Sequence, residues 1–303
     1  MSAHHRKQMK STSELIEHMK QKNIRFTISN TTEAKDMLTK INYYYKLSSY
    51  RSNFPKDEHG KYIHLEFAYL TDLASIDMQL RDYLMDLSLD IEHAIKVVLL
   101  NLISNDPTED GYTIVTDFKK QHHAQYSQTI QYWGSNKYLH DFYKKRHEDV
   151  SVWVLMETMT FGTLSMFVDF YYSRKKIKRV RQIKNYLRFS KNIRNACAHS
   201  NPLLVNLFSD REFLRRPSAP VITAAKYIGI SRTYLQDIKI NDLVSLFYLH
   251  KSLQSKKMSE HRCRQGRRLI KRFHRHYDWY ADNTQLNTFF RILNVLIDYL
   301  DMN

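Results

Sequence analysis

From position 66 to about 104 the chain runs without a glycine or proline. Across it Leu70, Leu73, Leu80, Leu84, Leu87, Ile91, Ile95, Val98 and Leu102 recur at steps of three and four. That spacing lines up apolar side chains on one face of a 3.6-residue helix. It predicts one very long helix, or two end to end, whose apolar face must be covered by other elements. Arg81 and Glu92 fall inside this stretch, where their expected role is in structural ion pairs. The whole chain of 303 residues holds only six Gly and five Pro, too few for an all-β or loop-rich fold. An all-α fold is therefore predicted, with a length that suits one large or two small domains.

The remaining pattern supplies partners for that helix. Leu15, Ile16 and Met19 predict a short amphipathic helix over 13–22, and Asn30 with Glu33 forms a capping box that opens a helix through Leu38. Tyr43, Leu47 and Tyr50 recur at helical spacing, as expected of residues packing a small N-terminal subdomain over 1–60. A loop with Pro55, Asp57 and Gly60 follows, and Pro107 ends the long helix. Residues 112–149 are polar and weakly periodic, and their histidines lack a matched ligand set, so no metal site is predicted. Residues 152–172 are the most apolar helix, with Glu157 near the middle among Trp153, Met156 and Phe161. A carboxylate there needs a partner or must face solvent. Ile177, Val180, Ile183, Leu187 and Ile193 form a stripe beneath a basic surface, and 243–253 and 285–300 read as amphipathic helices. Gly229-Ile230-Ser231 with Ala225 and Leu235 imitates a helix-turn-helix spacing, which opens a DNA-binding alternative.

Charge is concentrated. Residues 174–194 carry ten Lys/Arg and no acid, and residues 256–276 carry nine against Glu260 alone, so the rest of a chain with net charge +16 is close to neutral. Two such stretches suit a polyanion, and the residues expected to meet it are Arg174, Lys175, Lys176, Lys178, Arg179, Arg181 and Lys184, with Arg262, Arg264, Arg267, Arg268, Lys271 and Arg272. The alternative is a pair of solvated helix faces. Neither stretch has the broad apolar face of a membrane-surface helix, and no run reaches the ~18 apolar residues of a span. The first ten residues are polar and basic, so no signal peptide is expected, and Cys197 and Cys263 show no ligand spacing. These features fit a reducing cytoplasm.

The first basic stretch closes on Arg194-Asn195-Ala196-Cys197-Ala198-His199, followed by Ser200-Asn201-Pro202. Arginine stays charged, whereas histidine titrates near neutral pH. Five residues turn a regular helix by roughly 140°, so the pair can address one phosphate only if the backbone leaves the helix near His199. Pro202 favours that by disfavouring helical geometry at Asn201. Arg267 or Arg268 with His274 makes a similar spacing inside the basic tail.

The sextet resembles the Arg-Asn-x-Cys-Ala-His signature of the bacterial abortive-infection (Abi, AbiD/AbiF-like) family, a form of the Arg-x(4–6)-His motif of HEPN ribonucleases. Three further stretches support the resemblance: Ile41-Asn42-Tyr43-Tyr44 with Leu47-Ser48 and Tyr50, Leu80-Arg81 with Ile91-Glu92, and Trp153 to Glu157 with Phe161-Gly162. The resemblance implies a HEPN-like bundle over 61–303, built from helices at 66–104, 152–172, 174–199 and 285–300. It further implies a bacterial toxin that cuts RNA without metal or cofactor to 2′,3′-cyclic phosphate ends. His199 would be the general acid–base, Arg194 the phosphate clamp and Asn195 the orienting group, with Glu157 a candidate partner of Arg194. A homodimer, a structured non-coding antitoxin RNA, and DNA that binds uncut are the further implications. The rival reading is a non-catalytic RNA-binding module forming a ribonucleoprotein.

Overall fold

Three short helices precede the long one. In a computed structural model that describes residues 8–41 and 43–302, they are α1 (Thr12–Gln21), α2 (Thr31–Lys40) and α3 (Tyr44–Ser49). The basic start of the chain, residues 1–7, and Asn42 of the tyrosine-rich stretch lie outside the described residues. Ser11 with Glu14 and Asn30 with Glu33 form reciprocal capping boxes at the starts of α1 and α2. The apolar run then forms a single helix, α4 (Phe67–Ser104), 38 residues long. Along its later turns the core line steps by four through Ile91, Ile95, Leu99 and Ile103, so Val98 and Leu102 are only half-buried.

The rest of the chain continues as α5 (Thr113–Gln121), α6 (His123–Ser135), α7 (His140–Arg146), α8 (Val152–Thr158), α9 (Phe161–Lys175), α10 (Lys178–Ala198), α11 (Ala219–Ile228), α12 (Ile238–Leu253), α13 (Lys256–Phe273) and α14 (Thr284–Asp301). Among the described residues there are isolated β-bridges but no strands, so the fold is all-α. Helices α10, α12 and α13 pack on α4, α9 packs on α10, and α14 packs on α12 and α13. Gly266 lets α13 come this close: a Cβ there would lie 2.7 Å from Ile297 Cγ1 on α14 and 2.8 Å from the Tyr83 hydroxyl on α4. The buried residues of α1 and α3, Ile16, Met19 and Leu47, belong to the same core as those of α4.

Three expectations are corrected, and one weakly periodic stretch is found to be helical. The apolar helix expected over 152–172 is two helices, because Met159 and Thr160 are extended and the Thr160 hydroxyl caps α9 by accepting from the Thr163 N–H at 3.2 Å. The weakly periodic segment 112–149 contains α5, α6 and α7. Each buries few side chains, so periodicity is faint even though Phe118 and Trp133 are fully enclosed. Lys176 takes a left-handed conformation (φ 55°) that ends α9, which places Arg174 and Lys175 on that helix and not on α10. Of the tyrosines expected to pack, Tyr50 is enclosed but Tyr43 is exposed.

Tyr50 reaches a buried carboxylate on α4. Asp77 Oδ2 accepts from the Tyr50 hydroxyl at 2.6 Å and pairs with Arg81 one turn on, while Oδ1 accepts the backbone N–H groups of Leu203 and Leu204 at 2.9 Å each. Asn53 Nδ2 donates to the Leu204 carbonyl at 2.7 Å, tying the 3₁₀ turn Tyr50–Asn53 to the same segment. Burial pushes the Asp77 carboxyl upward, and Arg81, Tyr50 and the two amides oppose it. The expected ion pairs of Arg81 and Glu92 are both present, the latter with Lys96 at 3.1 Å.

Removing Asp77 leaves Arg81 and two amides buried without an acceptor, so Asp77→Ala is expected to destabilise the fold by about 3–5 kcal/mol. Lys40→Ala, which breaks an exposed pair with Asp36, is expected to leave stability unchanged. Thermal denaturation of the two variants checks both.

Candidate functional site

Helix α10 buries Val180, Ile183, Leu187, Ile193 and Cys197 against its neighbours and turns its basic side outward. Its end is closed by two hydrogen bonds: the Asn201 N–H donates to the Ala196 carbonyl at 2.8 Å and the Ser200 N–H to the Cys197 carbonyl at 3.0 Å. This is the Schellman arrangement, with Ser200 at φ 54° in the left-handed position that glycine usually takes. Pro202 follows, and two residues later the Asp77 carboxylate holds the chain. His199 is thus the last residue of the helix, exposed at the negative end of its dipole.

Arg194 is half-buried. Its guanidinium carbon lies 5.9 Å from the centroid of the Phe161 ring, and Nη1 is 3.5 Å from Asn195 Oδ1. Its Nε is buried with no partner. Among the described residues no carboxylate pairs with it, which leaves its charge to a ligand. Glu157, the expected partner, is exposed at the end of α8 and forms no ion pair with Arg194. The break at Met159 and Thr160 accompanies this, since it ends α8 at Thr158, the residue after Glu157, and starts α9 on Phe161. Phe161 is the neighbour that a reading of charges alone overlooks. Asn195 is exposed beside Arg194, and His199 donates its backbone N–H to the Asn195 carbonyl at 3.0 Å. Burial pushes the Cys197 thiol up to about 12, which makes it a packing residue and a poor nucleophile.

The basic stretches divide into committed and free cations. Arg174 pairs with Glu109 and Asp117, each at 2.8 Å, and Lys175 with Asp106 at 2.8 Å and Glu109 at 2.9 Å. Lys184 pairs with Asp169 at 3.1 Å, and Arg179 donates to Gln182 and to the Ser252 carbonyl. Lys176, Lys178 and Arg181 are exposed and, among the described residues, unpaired with any carboxylate. On α13, Arg262 donates to both oxygens of Asp90 and to Asp86, Arg272 pairs with Asp72, and Arg267 with Asp298 and Asp301. Burial would raise the Asp90 carboxyl, but hydrogen bonds from Arg262 and His250 bring it down to about 2.

Those three arginines staple α13 to α4 and α14. The opposite side of the helix presents Lys257, His261, Arg264, Arg268 and Lys271, with Arg275 two residues past its end, all exposed and, among the described residues, none paired with a carboxylate. Their steps of four and three keep them on one stripe, with neighbours about 5–6 Å apart. Lys257, His261 and Arg275 were absent from the residues expected to meet a polyanion, although the regular spacing of cations is visible in the sequence. The helix-turn-helix imitation ends differently: after Gly229 comes the 3₁₀ turn Arg232–Gln236 and then α12, which is buried along most of its length. Among the described residues no group of His, Cys, Asp and Glu is arranged to hold a metal ion, and no helix is long and apolar enough to cross a membrane.

The model of a family described as Abi-like protein matches residues 36–205, more than half of the chain. The match contains Asp77, Phe161, Arg194 and His199 and ends before α11–α14, so the stripe on α13 lies outside it. No curated protein and no solved structure matches.

Two residues before Arg194, Asn192 donates to Asp242 Oδ2 on α12 at 3.0 Å. Burial pushes the Asp242 carboxyl up to about 7, against the hydrogen bonds from Asn192 and Asn241. The folded state therefore holds this proton more tightly than the unfolded chain. Its contribution is complete below the ordinary aspartate range and is lost as pH rises through about 7. The unfolding free energy of the wild type, measured by chemical denaturation, should fall between about pH 4 and 7 relative to Asp242→Asn, by on the order of a few kcal/mol. Parallel curves for the two proteins would refute this account.

Proposed function

The chain belongs to the family of Abi-like proteins, and from that premise we propose that it is a metal-independent endoribonuclease, the toxin of an abortive-infection system. The observation that carries the reading is the state of Arg194: a cation seated on Phe161, unneutralised by any carboxylate among the described residues, next to exposed Asn195 and five residues before the helix-terminal His199. In the proposed reaction the RNA 2′-oxygen bonds to the adjacent phosphorus as its proton leaves to a base. The bond to the 5′-oxygen breaks, and that oxygen takes up a proton. The products are a 2′,3′-cyclic phosphate and a 5′-hydroxyl. Histidine suits both proton transfers, and Arg194 would stabilise the charge that gathers on the non-bridging oxygens. Asn195 would orient the phosphate. Glu157 has no part in this scheme.

One His199 per chain cannot accept one proton and donate another in the same event, which favours a composite site from two copies in a C2 dimer. The stripe on α13 favours a second element of the reading, a structured RNA held through its backbone, as an inhibitor would be. A purely RNA-binding role would use the same stripe and leave Arg194 and His199 without chemistry.

His199→Ala and Arg194→Ala should each lower RNA cleavage by about 10²–10⁴-fold while melting like the wild type. Cleavage should persist in EDTA, leave cyclic phosphate ends and spare DNA, which lacks the 2′-hydroxyl. Wild-type cleavage by either variant, or 3′-hydroxyl products, would sink this assignment.

Alanine at Arg264, Arg268 and Lys271 together should weaken RNA binding and lower the slope of log affinity against log salt by about three. Arg262→Ala should instead act on stability, because its charge is spent on Asp86 and Asp90. Equal salt slopes for the triple variant and the wild type would make the stripe a solvated face.

A further inference from the structure

A groove of about 560 Å³ opens between the N-terminal helices, α4 and the end of α13, and Ser200, the residue after His199, lies on its wall. Its lining includes the apolar Met37 and the half-exposed Met78. It also carries Lys46, Arg81 and Arg272. Arg81 is committed to Asp77, and Asp72 in the same wall is taken by Arg272 and the Tyr280 hydroxyl. Lys46 is different: it is half-buried, pairs with no carboxylate among the described residues, and burial followed by the nearby Arg81 pushes its ammonium below the usual lysine range. Arg272 lines the groove too, but its charge is met by Asp72 and its Nη1 is buried. One ammonium without a carboxylate partner among the described residues, that of Lys46, thus lines a groove that also carries apolar side chains, a combination that fits a phosphate joined to a flat ring.

Position narrows the occupant. Lys271 and Arg275, on the free stripe of α13, flank Arg272, and Ser200 adjoins His199, so the groove connects the cationic stripe to the end of the motif helix. We infer that this groove holds one nucleotide of a single-stranded RNA segment bound across the motif, with its phosphate on Lys46 and its base against Met37 and Met78. The inference rests on the RNA reading above but needs no cleavage. By contacting a base, the groove would set the nucleotide preference of the site. Trp279 lines it as well, with its ring faces already covered by His276 and Tyr69, so it serves as a reporter at the rim.

The test titrates full-length His199→Ala protein with labelled RNA pentanucleotides of a single base and with free AMP, following anisotropy and Trp279 fluorescence. Trp279→Phe protein supplies the blank. Pentanucleotides should quench Trp279, with one base acting at the lowest concentration. Lys46→Met should weaken binding about tenfold or more, and Lys46→Arg should restore most of it. Matching thermal midpoints confirm that these variants fold. Pentanucleotide binding without a Trp279 response, or unchanged binding by Lys46→Met, would overturn the inference. AMP binding as tightly as a pentanucleotide would replace the strand by a free nucleotide. Quenching in a wild type that cuts nothing leaves the groove standing and removes the catalysis, whereas cutting without quenching does the reverse.

Discussion

The buried carboxylate of Asp77 is the constraint on which the rest depends. It sits on α4 with no exposure, and its acceptors are filled from three directions: Tyr50 after α3, Arg81 on its own helix, and the amides of Leu203 and Leu204 beyond α10. A charge buried this deeply is tolerable only when every partner is in place. The condition works in reverse as well, because the chain leaving His199 must pass where Asp77 can receive its amides. The direction of the motif's exit is therefore decided by a residue more than a hundred positions earlier, on the longest helix of the fold.

Charge follows the same logic on a larger scale. A net charge of +16 suggests a broadly basic surface, yet arginines on α13 meet different ends. Arg262, Arg267 and Arg272 face carboxylates on α4 and α14 and fasten the helix, while Arg264, Arg268 and Lys271 face solvent with no carboxylate among the described residues to neutralise them. Only the second group can release counterions when a polyanion arrives. The same division runs through the first basic stretch, where Arg174 and Lys175 close the end of α9 onto Asp106, Glu109 and Asp117. Basic residues are thus used first to hold helices together, and the remainder are sorted onto particular faces.

Arg194 shows the complementary choice. A carboxylate beneath it would fix the guanidinium more firmly but would also cancel its charge. The Phe161 ring supports it from below and leaves that charge uncancelled. Since Phe161 opens α9, the break between α8 and α9 is what brings a ring, and not Glu157, to this position.

Much of this was legible in the sequence because it depends on neighbours within a turn or two. The unbroken run of α4, the capping box at Asn30 and Glu33, the ion pairs of Arg81 and Glu92, and the end of α10 ahead of Pro202 all follow from local sterics and spacing. Helices α5–α7 were hidden because each contributes only a few side chains to the core. Glu157's place in solvent, the division of the arginines and the groove beside Ser200 depend on which acids and rings lie opposite, often more than a hundred residues away. The sequence by itself determined the helices, the total charge and the Arg194–His199 spacing. Only the tertiary structure decided which charges remain free and where the chain turns after His199, because pairing and burial are set between elements and not within them.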